Sequence, residues 1–144
     1  MDESPPLEPP RRRPINMTVV TWIILAGAVV TFLLVKRLGQ ATPELARDWV
    51  NKGAVVIDVR SEGEYQERHL PGVINIPLDR LSEEISRYAT NKDQPILLHC
   101  LSGTRSGMGA SKLKRMGYSN VSNLGSYGRA EKIIGSSLKD PKKG

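Results

Sequence analysis

The sequence predicts an α/β protein: a doubly wound parallel sheet with helices on both faces, preceded by one transmembrane helix. Three observations predict it. Short continuous apolar runs, Ala54-Val55-Val56-Ile57 and Ile96-Leu97-Leu98, have the pattern of strands buried on both faces. Helical patterns alternate with them, and repeated strand–helix units build a parallel sheet. Upstream, Met17–Val35 carries no charged residue over 19 positions.

The chain begins with a tail, residues 1–16. Prolines 5, 6, 9, 10 and 14 prevent a helix there, and little apolar surface is available to bury. The apolar run 17–35 follows Arg11-Arg12-Arg13. At 1.5 Å per residue it spans about 28 Å, close to the ~30 Å hydrocarbon core of a bilayer. Its threonines can bond back to helix carbonyls, and Trp22 sits near one end, at interface depth. A cleaved signal peptide has a shorter apolar stretch with a small-residue cleavage site close behind. Here Lys36-Arg37 follows at once, which favours a retained, single-pass anchor in the lipid bilayer. Cations flank both ends, so charge does not assign a side of the membrane to the rest of the chain.

Residues 36–41 read as a linker and 42–135 as one domain. Thr42-Pro43-Glu44 is a helix start, with Thr42 as N-cap and Pro43 at the first helical position. Leu45, Ala46, Trp49 and Val50 form one apolar face, and Gly53 ends the helix. The first strand then delivers Asp58-Val59-Arg60 to its C-terminal end, the edge where ligands gather in open parallel sheets. Pro71-Gly72 is a turn, Val73–Ile76 a short strand and Leu78–Ala89 a helix. Ile96–His99 is the strand that leads into Cys100. The helix after it spans roughly Ser106–Met116, with Met108, Leu113 and Met116 facing inward. Val121–Leu124 is the last strand. The basic residues 136–144 form a second tail.

Only 5% of the 144 residues are aromatic, so the core must be built from Val, Ile, Leu and Ala. From Arg105 onward nine Lys/Arg face two Asp/Glu, whereas Lys36–Thr104 has nine against ten. The positive excess suits an anionic substrate, and equally a solvated basic face or anionic lipid headgroups. Scarce aromatics and the lack of a binding motif argue against nucleic acid. One cysteine and two separated histidines give no metal-ligand spacing, and no cofactor is called for.

The chemistry centres on Cys100-Leu101-Ser102-Gly103-Thr104-Arg105-Ser106, which holds the only cysteine. A buried strand, a short loop and a helix build an anion cradle from converging N–H groups and the helix N-terminus. A thiol in such a cradle is stabilised as thiolate, so Cys100 reads as a nucleophile. Arg105 adds a fixed positive charge. Cys-x4-Arg is one residue shorter than the phosphatase spacing, and the tighter ring fits a single extra sulfur. His99 and Cys100 are strand neighbours pointing to opposite faces, which makes His99 a poor general base.

The run Cys-x-Ser-Gly-x-Arg-Ser resembles the active-site loop of the rhodanese family of sulfurtransferases. The resemblance widens upstream, where Val-Ile-Asp58-Val-Arg60, Glu64-Tyr65 and His69-Leu-Pro-Gly72-Val-Ile-Asn-Ile-Pro77 look like the family's N-terminal signature. It implies a rhodanese-like sheet and a two-step transfer. Cys100 takes the outer sulfur of a small anionic donor such as thiosulfate and becomes a persulfide. Cyanide or a thiol then removes that sulfur. Leu101, Ser102, Gly103, Thr104 and Arg105 would hold the persulfide, with Ser106 capping the helix. Asp58 and Arg60 would support the loop, Asp58 by hydrogen bonding near Arg105. Glu64 and His69 read as polar contacts that hold the fold. Two other classes share the fold: a phosphatase or arsenate reductase, which the spacing disfavours, and a non-enzymatic membrane-tethered binding or sulfur-sensing module.

Overall fold

The computed structural model describes residues 16–138. The proline-rich segment 1–15, with Arg11–Arg13, and the basic residues 139–144 lie outside the described residues. The chain divides into two compact units, one ending at Lys36 and one beginning at Arg37.

The described part of the first unit is helical and belongs to α1, Met17–Leu38, whose last two residues fall in the second unit. Asn16 starts it: its carbonyl accepts from the N–H groups of Val19 and Val20, and its side chain accepts from the Thr18 hydroxyl. Thr21 and Thr31 donate back to the carbonyls of Met17 and Gly27, which hides both hydroxyls inside the helix's own bonding. The helix is long and apolar enough to cross a membrane by length and composition.

The second unit is a four-stranded, wholly parallel sheet in the order β2–β1–β3–β4. Its elements are α2 (Pro43–Asn51), β1 (Val55–Asp58), α3 (Glu62–Glu67), β2 (Ile74–Asn75) and α4 (Leu81–Glu84). A 3-10 turn (Ile85–Arg87), β3 (Ile96–Cys100), α5 (Thr104–Arg115), β4 (Val121–Ser126) and α6 (Tyr127–Leu138) follow. Alternation along the strands splits the core in two. Val55, Ile57, Ile96, Leu98 and Cys100 pack on Leu81, Ile85, Ala110 and Leu113, under α4 and α5. Val56, Leu97 and Leu124 pack on Ala46, Ala130, Ile133 and Ile134, under α2 and α6. Each fully buried aliphatic side chain contributes about 1.5–3 kcal/mol relative to exposure. The sheet is thus covered on both faces, the doubly wound arrangement that the apolar runs predict.

Several boundaries differ from the sequence expectation. The helix expected over 78–89 is shorter, because residues 77–80 close a turn through Arg80 N–H to the Pro77 carbonyl. The strand expected over 73–76 reduces to Ile74–Asn75, since the Val73 N–H turns back to the Leu70 carbonyl. Helix α5 starts two residues earlier than expected, at Thr104. Met108 is not inward: it is 59% exposed. Helix α6 runs through Leu138, three residues into the stretch assigned to the basic tail. Gln40 and Ala41, assigned to a linker, belong to the sheet edge. Gln40 bridges Asn123 in parallel, the Ala41 N–H donates to the Asn123 carbonyl at 2.8 Å, and Ala41 is buried.

The sheet order puts β1 and β3 side by side, with their chains continuing to opposite sides. Asp58 is registered against His99, next to Cys100. This is the switch point of the sheet, where an open α/β fold leaves a crevice at the strands' carboxyl ends.

Candidate functional site

Cys100 is the last residue of β3 and is fully buried. Leu101 and Ser102 stand exposed above it, and Gly103 turns the chain into α5 with φ +90°. Only glycine takes that conformation without strain. Space enforces the same choice, since a Cβ on Gly103 would lie 3.0 Å from Gly125 Cα. The turn aims the Gly103 N–H at Cys100 Sγ, 3.0 Å away. Ser106, in the first turn of α5 and also fully buried, brings its hydroxyl within 3.5 Å of the same sulfur. Ser102 and Thr104 place their hydroxyls 3.4 Å apart at the exposed lip.

Burial pushes the Cys100 thiol up. The Ser106 hydroxyl and the N–H groups of Ser106, Ser102 and Gly103 more than offset it, so the thiol lies below its ordinary pKa of 9.0. The ring of N–H donors thus includes Ser106, one residue beyond the loop expected to hold an anion. The N-terminus of α5 adds its partial positive charge.

Arg105 does not reach Asp58. It forms a fork-to-fork pair with Glu64, Nη1 to Oε2 and Nη2 to Oε1, each 2.7 Å. That bond holds the Glu64 carboxyl at about 2, against an ordinary 4.5. The Ser61 N–H and hydroxyl donate to Glu64 as well, and Ser61 with Glu64 forms the capping box that starts α3. The expectation that Asp58 bonds near Arg105 is therefore corrected. Arg60, two residues along, takes both Asp58 oxygens at 2.6–3.0 Å and donates to the Arg68 carbonyl. The Asp58–Arg60 pair is buried, and Arg60 stacks over the Tyr127 ring. It braces the sheet edge on the far side from the sulfur.

His99 faces that far side too, edge-on to Tyr127 at 5.9 Å. Burial holds it below its ordinary pKa of 6.5, against the pull of Asp58. Among the described residues neither ring nitrogen has a hydrogen-bond partner. His69 stacks on Tyr65 and contacts its carbonyl.

Sequence reasoning missed two residues. Glu64 was assigned to holding the fold, yet it grips the loop's arginine; the Ser61-x-x-Glu64 spacing signals its helix but not that partner. Asn123 carried no signal. Asn123 stands opposite Leu98 in the regular β3–β4 register, and the register shifts only after it, where Leu124 is the extra residue and Gly125 stands opposite His99. Strand alternation puts the Asn123 side chain on the face of Val121, Leu98 and Cys100. The Asn123 amide points under the loop, with Oδ1 2.7 Å from Ser106 Oγ and Nδ2 donating to the Gly103 carbonyl at 3.0 Å. Beside the loop, a groove of about 560 Å³ runs along α5, lined by Leu78, Gly107, Met108, Ser111, Lys112 and Arg115. Among the described residues no cluster of His, Cys, Asp and Glu could hold a metal ion.

A family model described as rhodanese-like domain matches residues 42–128. The chain is 39% identical over 69 residues to thiosulfate sulfurtransferase PspE of Escherichia coli, covering 48% of this chain and 66% of that protein. It therefore spans just under two thirds of that relative's length. It is 29% identical over 79 residues to thiosulfate sulfurtransferase GlpE of Pseudomonas savastanoi, covering 55% of this chain and 73% of that one. The solved rhodanese with anions from E. coli superposes with a TM-score of 0.52 at 35% identity, covering 54% of this chain and 91% of that one.

Proposed function

Given that the chain belongs to the rhodanese-like domain family, we propose that it is a membrane-anchored sulfurtransferase that works through a Cys100 persulfide. The observation that carries this reading is the convergence on one buried sulfur of the Gly103 N–H, the Ser106 N–H and the Ser106 hydroxyl. That arrangement favours an anion at the sulfur position while excluding solvent from it.

In the first step the Cys100 thiolate attacks the outer sulfur of a donor such as thiosulfate. The new S–S bond forms as the donor's S–S bond breaks, and sulfite leaves with the bonding pair. Cys100 is left as a persulfide anion. In the second step cyanide or a thiolate attacks the terminal sulfur, and the Cys100 thiolate is restored. N–H groups of the loop hold the anion, and Gly103 lets the backbone approach it. Arg105, locked by Glu64, orients the loop and contributes positive potential. Lys112 and Arg115 in the groove along α5 favour anionic reactants.

Residues 17–35 would hold the catalytic domain, residues 42–135, at a bilayer, with its length and lack of charge as the support. Extraction of native membranes with alkaline carbonate tests this: an anchored chain stays in the pellet, and a cleaved or soluble one is released.

The test of the chemistry is intact mass of the detergent-solubilised full chain after incubation with thiosulfate. One added sulfur, removed by cyanide and absent in Cys100→Ser, supports the reading. A folded chain with a free thiol that gains no sulfur from thiosulfate or other sulfane donors would favour a binding module.

A further inference from the structure

Three contacts meet at the Asn123 side chain. Oδ1 accepts from the Gly125 N–H at 2.8 Å and lies 2.7 Å from Ser106 Oγ, while Nδ2 donates to the Gly103 carbonyl at 3.0 Å. The amide cannot be turned round. The Gly125 N–H can only donate, so the atom facing it must be the oxygen. The Gly103 carbonyl can only accept, so the atom facing it must be the nitrogen. The two backbone groups lie 20 and 2 residues away along the chain, on glycines that pack against each other. Asn123 is itself buried, at 6% exposure.

We propose that Asn123 is the positioning residue of the Cys100 loop: its amide fixes the Gly103 carbonyl and the Ser106 hydroxyl, and through them the hydrogen bonds that the sulfur receives.

Two consequences follow from the orientation. First, holding the Gly103 carbonyl fixes the left-handed turn at that residue. The same turn aims the Gly103 N–H at Sγ. Second, the Ser106 hydroxyl has one proton and three acceptors in reach, Asn123 Oδ1 at 2.7 Å, the Gly125 carbonyl at 3.4 Å and Cys100 Sγ at 3.5 Å. With Cys100 as a thiol, the hydroxyl donates to Oδ1 and offers a lone pair to the S–H. With Cys100 as a thiolate, the hydroxyl swings its proton to the sulfur. Oδ1 stays satisfied by the Gly125 N–H, so the swing leaves no buried acceptor bare. Asn123 thus lets one serine serve both charge states of the sulfur without moving a heavy atom.

This rests on Cys100 being the reacting thiol, but its test needs no sulfur donor. The pH profile of iodoacetamide alkylation at Cys100 is measured on the detergent-solubilised full chain and its variants. Asn123→Ala is expected to move the midpoint upward and to slow alkylation at pH 7 about tenfold, as one pKa unit requires. Ser106→Ala moves it the same way. The double variant moves it by less than the sum, since both act on one sulfur. A folded Asn123→Ala with an unshifted profile overturns the proposal. A second readout needs no substitution: in the parent chain the Asn123 side-chain amide resonances should titrate with the Cys100 midpoint. Amide resonances that stay flat while Cys100 ionises overturn it as well. Should sulfur transfer fail while these shifts appear, the reaction is misassigned and the positioning role stands.

Discussion

Arg105 and Glu64 close on each other through two parallel N–H···O bonds of 2.7 Å, tying the end of the cysteine loop to the first turn of α3. Glu64 is at the same time the partner of Ser61 in that helix's capping box. One carboxylate therefore starts a helix and holds the arginine that sets the loop. Arginine's fork suits this double contact and a lysine's point charge does not.

Arg105→Lys and Glu64→Gln should each lower sulfur transfer about tenfold by loosening the loop, measured as thiocyanate formed per unit time. Their pH signature has a definite sign. Glu64 sits at about 2 in the folded chain and near 4.5 when unfolded, so its pairing adds stability that is fully present above about pH 4.5. That stability fades as pH falls through 4.5 towards 2. Denaturation midpoints of the parent and Glu64→Gln should differ at pH 7 and converge near pH 2. A constant difference across that window would mean the carboxylate charge is not what stabilises the pair.

Gly103→Ala meets two penalties at once, a left-handed φ and a Cβ pressed to 3.0 Å from Gly125 Cα. About 1–3 kcal/mol of destabilisation is expected, with loss of most transfer activity. Thermal melts and the thiocyanate assay read the two effects separately. Gly117→Ala shares the positive φ but has open space around it, and should lower stability while sparing activity.

Asp58→Asn strips the buried Arg60 of its counter-charge. Both side chains are nearly inaccessible, so the cost is set by the stranded charge, about 3–5 kcal/mol. Replacing both at once, Asp58→Leu with Arg60→Met, should cost less than Asp58→Asn alone. Urea denaturation of the three chains distinguishes a buried ion pair from simple packing.

His99 is held below 6.5 by burial, so the unfolded chain binds a proton that the folded chain refuses. Stability from this residue is complete above pH 6.5 and declines as pH falls below it. His99→Gln should flatten that part of the curve. The alkylation midpoint of Cys100 should stay put, because the two side chains lie on opposite faces of the sheet.

The sheet and the cysteine loop were legible in the sequence because local pattern and tertiary role coincide there. Val55–Ile57 and Ile96–Leu98 are apolar at every position, and buried on both faces is the one way to use such runs. Helices α3 and α6 were not legible. Six residues with no buried side chain give α3 no apolar stripe, and α6 begins directly on the last strand residue with no turn signal between. Met108 lies five residues before the buried Leu113, about 140° round the helix, and so faces solvent although it is expected inside. The partners of Arg105 and Ser106 lie 41 residues upstream and 17 downstream. Only the register of assembled strands and helices brings Glu64 and Asn123 to them.

The bond from the Ala41 N–H to the Asn123 carbonyl sets a limit on how the chain can be cut. Asn123 is held at the main chain by the segment that enters the domain and uses its side chain to hold the loop. A shortened chain that begins at Thr42 keeps every helix and strand of the sheet, yet it removes the peg on which that asparagine hangs. Its loss would show as a looser thiol pocket in an otherwise native fold. The cut that preserves the Cys100 pocket therefore falls ahead of Gln40.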